Sequence, residues 1–326
     1  MQLTAIKWIS PSSTSSTIFM KGHDLSQKAL LNSFQQLYTT EEQCIALLFS
    51  LRWPEGFICP LCRNHHADVP PQRNLICPHC NNRTSLTSGT LLHGTKKAIK
   101  TWFLAAWWFC LSPFGVSAKE LQRLLALSCY ETAWTWLQKL RLAMAEADKT
   151  RCQGTVDLSY DTITPAPERK KHACILTAME RVSAHGTVGR IRMRRIPVLN
   201  RETLMSFLQE TVHETSALIT AEHRIVSLVQ PGSSYTILHS EDKTPICIHD
   251  LHKILKHSLH KVHRGGVTTK HLQQYLDEFC FRHNAALLPD RNAVFTALLA
   301  GLLKRPLQKS PRSHSPVPHE TTELLS

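Results

Sequence analysis

The sequence predicts an α/β protein with small additional domains: a zinc ribbon and a helix-turn-helix placed ahead of a larger α/β unit. Three observations lead there. Two CxxC pairs stand 14 residues apart in the first third of the chain. Behind them come two capped, amphipathic helical stretches joined by a short turn. From residue 154 onward, β-type runs alternate with helical ones, which is the pattern of an α/β domain.

The elements follow in order. Residues 1–26 are Ser/Thr-rich at their start, lack a signal-peptide pattern and read as a disordered leader. Residues 27–95 form the first unit. Its opening, 27–52, reads as one helix, with Leu30, Leu31, Phe34, Leu37, Cys44, Leu47 and Leu48 near helical spacing. The Pro-, Cys- and Asn-rich stretch 53–93 is broken into short pieces. Residues 97–148, within a unit spanning 96–150, read as three helices.

The α/β unit, 151–290, carries β-type runs at Thr155–Asp157, His172–Ala178, Thr187–Pro197, Ser216–Thr220 and Tyr235–His239. Helices are expected at 201–212, 248–260 and 268–284. A C-terminal helix and a disordered Pro/Ser/basic tail fill 291–326.

Composition bounds the function. At 326 residues and 42% hydrophobic content, the chain supports two domains with cores of their own. A formal net charge of +13 favours a polyanionic partner, nucleic acid first and an acidic membrane surface second. The longest apolar run, TWFLAAWWFCL at 101–111, is too short to cross a bilayer and reads as a buried helix. Eleven cysteines without a secretory signal point to a reducing, cytoplasmic setting, where paired cysteines mean metal. The seven outside the CxxC pairs read as small core residues.

Cys59-Pro-Leu-Cys62 and Cys77-Pro-His-Cys80 are the most specific local signal. Two residues between cysteines let both thiolates of a turn face one ion, and two such turns close a tetrahedral site. Four thiolates leave no open position, so the implied Zn²⁺ is structural. His65, His66 and His79 read as surface histidines.

Ser117-Ala-Lys-Glu120 and Ser128-Cys-Tyr-Glu131 each look like a capping box opening a helix. The exposed side of the second helix is expected to carry Glu131, Thr135, Gln138, Lys139 and Arg141, with Gln138, Lys139 and Arg141 as DNA contacts. A helical hairpin that merely packs fits the same spacing. Further on, Arg190, Arg192 and Arg194 alternate along one strand face, as either phosphate contacts or the charged guard of an edge strand. Residues 249–263 place five histidines among lysines, which suits a DNA- or solvent-facing helix better than a metal site. No Gly-rich phosphate loop and no GxSxG nucleophile motif occurs.

Four blocks then carry a resemblance. "LRWPEGFICPLC", "CPHC", "TSGTLLHGTKKAIKTWFLAAWWF" and "GVSAKELQRLLALSCYETAWTWLQKLRLAM" resemble the zinc-ribbon DDE transposases of bacterial insertion sequences, and "KHLQQYLDEFCFRHN" resembles that family's closing helix. The resemblance covers about residues 35–284. It implies an RNase H-like, mixed-sheet catalytic domain after the ribbon and helix-turn-helix. Three acids in that domain would hold two Mg²⁺ ions for DNA cleavage and joining. Hard oxygen ligands suit Mg²⁺, and a pair of ions can activate the attacking oxygen and stabilise the leaving one.

Carried over by position, the family's first acid falls on Asp157, in "GTVDLSYD". Its second falls on Ala221, with Glu222 the one plausible substitute. The third acid is Asp250, shorter than the family's glutamate, and the accompanying His and Asn positions hold Pro245 and Cys247. A family lysine falls on His257, beside Lys256, a further DNA-contact candidate. Asp161 and Asp242 are weaker substitutes without a positional argument.

The expectation is thus a cytoplasmic, nucleoid-associated transposase-family protein that oligomerises on DNA and recognises element ends and target. Its transposition chemistry would be impaired at Ala221. The alternative is a non-catalytic, zinc-dependent DNA-binding descendant.

Overall fold

A computed structural model describes residues 27–112, 115–163, 172–182, 188–229, 235–239, 246–263 and 267–304. The expected leader and basic tail lie outside the described residues.

The helix expected over 27–52 is two helices, α1 (Gln27–Leu37) and α2 (Glu41–Arg52). The first ends at Leu37, and Thr40 caps the second. Its hydroxyl accepts from the Gln43 backbone N–H at 3.3 Å, and the Gln43 side-chain Oε1 accepts from Thr40 N–H at 3.2 Å, closing a capping box. The signature Thr40-Glu-Glu-Gln43 is legible in the sequence, but the apolar spacing across it conceals the break.

Two short hairpins follow, β1 (Phe57–Ile58) with β2 (His65–His66), and β3 (Asn74–Ile76) with β4 (Arg83–Ser85). The three helices expected over 97–148 are α3 (Ile99–Leu111), α4 (Ala118–Leu124) and α5 (Tyr130–Ala147). Helix α3 is buried on nearly every side, as a helix apolar all round must be. Its first turn has no cap of its own. The Glu41 carboxylate fills that role, accepting from Ile99 N–H at 2.7 Å and Lys100 N–H at 2.8 Å.

The α/β unit is built on a five-stranded sheet: β5 (Thr155–Ile163), β6 (Ala173–Arg181), β7 (Val188–Ile196), β8 (Ala217–Thr220) and β9 (Thr236–His239). Strand order is β7-β6-β5-β8-β9. The first three strands in sequence form an antiparallel meander, and β8 and β9 add parallel to β5. Helices α6 (Arg201–Thr211) and α7 (His223–Leu228) occur between strands, and α6 packs Leu204, Phe207 and Leu208 on Val156, Leu158 and Leu218 of one face. Helices α8 (Ile246–His263) and α9 (Leu272–Asn284) cover the other, where Ile248, Leu251 and Leu276 meet Ile175, Met179 and Ile191.

The last helix, α10 (Arg291–Leu302), returns to the N-terminal half. Val294, Phe295, Leu298, Leu299 and Leu302 join the core of α1, α2, α3 and α5. Leu91 N–H donates to the Leu302 carbonyl at 3.1 Å and the Lys304 carbonyl at 3.0 Å, tying the chain beyond the ribbon to the helix end.

Candidate functional site

The four cysteines sit on two equivalent turns. Arg63 N–H donates to the Cys59 carbonyl at 3.0 Å, and Asn81 N–H to the Cys77 carbonyl at 2.9 Å. Arg63 and Asn81 adopt φ of 64° and 56°, the left-handed bend that lets each knuckle turn back. All four sulfurs lie within 4.8 Å of one another. Cys59 and Cys80 Sγ are 3.6 Å apart, and Cys62 and Cys77 Sγ 3.7 Å. A tetrahedron with Zn–S bonds of about 2.3 Å has edges of about 3.8 Å. The donor set therefore fits one structural zinc ion.

The surroundings support it. His66 Nε2 lies 3.3 Å from Cys77 Sγ, and its ring stacks on Phe57 at 6.2 Å between centroids. Gly56, at φ 110°, cannot be replaced without moving backbone: a Cβ there would meet the Ala67 Cα at 2.7 Å.

Helices α4 and α5 are joined by the turn Leu125–Cys129, in which Ala126 adopts φ 46°. Ser117 caps α4 as expected, accepting from Glu120 N–H at 3.2 Å, but the Glu120 carboxylate receives the Trp108 indole N–H at 3.0 Å instead of returning to Ser117. Ser128 does not cap α5, whose first helical residue is Tyr130.

The expected DNA face of α5 requires correction. Gln138 and Arg141 are buried, because α5 is covered on more than one side, by α10 and by α9. Arg141 Nε donates to Glu278 Oε2 at 2.8 Å with 1% of its side chain exposed, and its guanidinium lies over the Tyr275 ring at 4.2 Å. Lys139 is half-buried against Trp102, and burial lowers its pKa. The residues that stay exposed at the near end of the two helices are Lys119, Arg123, Tyr130, Glu131, Trp134 and Thr135. Alternation along α5 alone could not separate these faces, since α4, α9 and α10 all converge on it.

The arginine strand also differs. Arg190, Arg192 and Arg194 do share one face of β7, but each is engaged within the protein. Arg190 and Arg192 grip Asp148 at 2.5 and 2.6 Å, and Arg194 pairs with Glu210. Asp148 stands just past α5, so these pairs bind the sheet to the helical module instead of presenting free guanidinium groups.

On the sheet, Asp157, Ser159 and Asp161 point to the α8/α9 face, opposite Val156 and Leu158. Asp157 is 1% exposed, and both its oxygens are taken: Arg181 donates Nη2 to Oδ1 at 2.5 Å and Nε to Oδ2 at 3.1 Å. Asp161 Oδ2 holds Lys256 Nζ at 2.8 Å and faces His252 Nδ1 at 3.3 Å, so Lys256 is employed internally. His252 Nε2 lies 2.9 Å from the Thr177 hydroxyl, and burial pushes its pKa down despite Asp161. Among the described side chains of the expected solvent- or DNA-facing histidine helix, His252 is thus buried, while His249 and His257 are exposed.

Asp250 is not gathered into this group. The buried residues of α8, Ile248, Leu251, His252 and Leu255, define its sheet-facing stripe, and at 100° per residue Asp250 falls on the far side. Its carboxylate pairs with Lys253 at 3.3 Å. Glu222 is the N-cap of α7, two residues past buried Thr220, whereas Asp157 pairs in register with Ile219 on the opposite face. Ala221 continues the Ile219 side and offers no donor. Pro245 and Asp242 lie outside the described residues.

The two-Mg²⁺ centre that the resemblance implies does not fit this arrangement. One ligand position is a methyl group, one carboxylate is held bidentately by arginine, and one is turned away. Among the described residues, the four cysteines are the one cluster of three or more metal-capable side chains with donor atoms within 4.8 Å. The role of Arg181 and the grouping of Asp161 with His252 and Lys256 were not legible in the sequence, because the first depends on the register of β5 with β6 and the second on the packing of α8 over β5.

Comparisons with known proteins agree with the two-part layout. The chain matches the ISXO2-like transposase domain over residues 146–284 and the transposase zinc-ribbon domain over residues 39–69. It is 23% identical over 125 residues to an uncharacterized protein in the transposable element ISH50 of Halobacterium salinarum, a stretch covering 37% of this chain and 41% of that relative. No solved structure matches. Among the described residues, no helix is long and apolar enough to cross a membrane.

Proposed function

The chain belongs to the zinc-ribbon DDE transposase family, and from that premise we propose that it is a zinc-dependent DNA-binding protein whose strand-transfer chemistry is impaired. The observation that carries the proposal is Asp157. This residue stands at the family's first acid position, yet it is 1% exposed and bound through both oxygens to Arg181, and its expected partner position holds Ala221.

The strand order and the α8/α9 cover support an RNase H-like reading of 151–290, and α4 with α5 supports a helix-turn-helix reading. DNA contact is assigned to the exposed cations of the N-terminal module: Arg63 and Arg83 on the ribbon and Lys119 and Arg123 on α4. Such groups neutralise phosphates without reading sequence. Element ends and target DNA are the proposed partners, bound in the cytoplasm by a homo-oligomer.

The test has two arms. Binding of a DNA duplex should weaken steeply with salt, log K falling linearly against log salt concentration. Cleavage and strand transfer with Mg²⁺ or Mn²⁺ should give the same background for the native chain and Asp157→Ala. Salt-insensitive or absent binding would remove the DNA reading. Activity that disappears in Asp157→Ala would restore the enzyme, with Glu222 as third ligand.

A further inference from the structure

Resting on the reading that strand transfer is impaired, we infer that the acidic face of β5 has exchanged metal ions for side-chain cations, with Arg181 standing where a divalent ion would meet Asp157. Register places it there. Thr155 pairs with Arg181 and Asp157 with Met179, so Arg181 sits diagonally across from Asp157 on the same face. The contact is bidentate, a planar guanidinium on a planar carboxylate, which takes one lone pair on each oxygen and sets a positive charge against them.

The end of β6 is built to keep Arg181 on that side. The pairing of β6 with β7 shifts register between Met179 and Arg181, and the intervening Glu180 reaches the other way. Its Oε1 accepts from Gln153 N–H and its Oε2 from Arg190 N–H, both at 2.8 Å. Gly189 leaves room for this crossing, since a Cβ there would meet Glu180 Oε2 at 2.7 Å.

Charge leads to the same conclusion. Asp157 and Asp161, the two carboxylates on this face of β5, each have a cation in contact: Arg181 and Lys256. Two negative charges against two positive leave this pair neutral. Two divalent ions would add four positive charges, which these already paired carboxylates do not offset.

The test uses the zinc-loaded full chain and Mn²⁺ as probe, with bound ion read from the loss of the free Mn²⁺ paramagnetic signal. The native chain should show no saturable Mn²⁺ site, and its Tm should not respond to the ion. Arg181→Ala should lower Tm by roughly 5 °C or more, because Asp157 is left buried and unpaired. Mn²⁺ should recover part of that loss.

Arg181→Ala combined with Ala221→Asp should bind Mn²⁺ saturably, and adding Asp157→Asn should abolish it. If Arg181→Ala does not fold, Arg181→Lys frees one carboxylate oxygen and the same titration applies. Saturable Mn²⁺ binding by the native chain that Asp157→Asn removes would overturn the inference. Without accompanying cleavage, that result would still leave the impaired-enzyme reading standing.

Discussion

At the scale of residues, the most constrained group is Glu278, in the interior between α5 and α9. Arg141 and Arg282 both pair with it at 2.8 Å, and Arg282 also donates to the Phe109 and Ser112 carbonyls at the end of α3. Burial opposes its charge, yet the two guanidinium groups outweigh burial and bring its pKa down to about 2. A carboxylate depressed in the folded state adds stability that is present above its unfolded value and lost as pH falls. Acid unfolding should therefore draw on Glu278 from about pH 4.5 down to about pH 2. Glu278→Gln should flatten that limb and cost about 3–5 kcal/mol at neutral pH, measured by denaturant unfolding at several pH values.

Gln138 is the opposite case, because neither atom of its buried amide has a hydrogen-bond partner. Gln138→Met should raise stability by about 1 kcal/mol and leave DNA affinity unchanged. A loss of affinity would return Gln138 to the DNA interface.

At the scale of elements, α10 alters the domain map. Sequence reading placed it after the catalytic unit, among terminal residues. Its apolar side instead completes the core around α3 and α5, and it falls outside both matched family segments. Gly301 marks the closest approach: a Cβ there would lie 2.1 Å from the Ala143 carbonyl oxygen on α5. Gly301→Val should destabilise the protein by at least about 1–3 kcal/mol, with the loss read in the unfolding of the helical module. An unchanged midpoint would mean that α10 does not seat as described. Most other elements were legible, since period-2 runs and period-3.6 runs are long in 155–220 and 246–284. The exceptions are informative. The α1/α2 break hides inside continuous helical spacing, and α7 is too short to show a period.

At the scale of the whole molecule, the zinc site belongs to the larger of the hydrophobic cores. Cys59 and Cys77 are buried in the same cluster as Trp102, Trp107 and Phe295, while the sheet has separate clusters on its two faces. Zinc removal by chelation, or Cys62→Ser, should therefore unfold the ribbon, loosen the helical module and abolish DNA binding, leaving the sheet signal in place. Far-UV spectra and zinc content unchanged in Cys62→Ser would refute the four-cysteine site. A sheet that melts together with the ribbon would show that the Asp148 and Glu278 clamps couple the two halves more tightly than their separate cores suggest.

The four-cysteine site and most of the helices and strands were legible in the sequence, because they rest on local spacing, which does not depend on the fold. That the position of a family acid falls on Ala221 is what the resemblance implies. Contacts between distant segments were decided only in three dimensions. Arg141 and Gln138 look like surface residues until α9 and α10 arrive from more than 130 residues away. Arg181 looks like the end of a strand until antiparallel register sets it beside Asp157. A charged side chain carries no mark in the sequence of which opposite charge will neutralise it. Tertiary packing makes that choice, and here it separates a metal ligand from a buried ion pair.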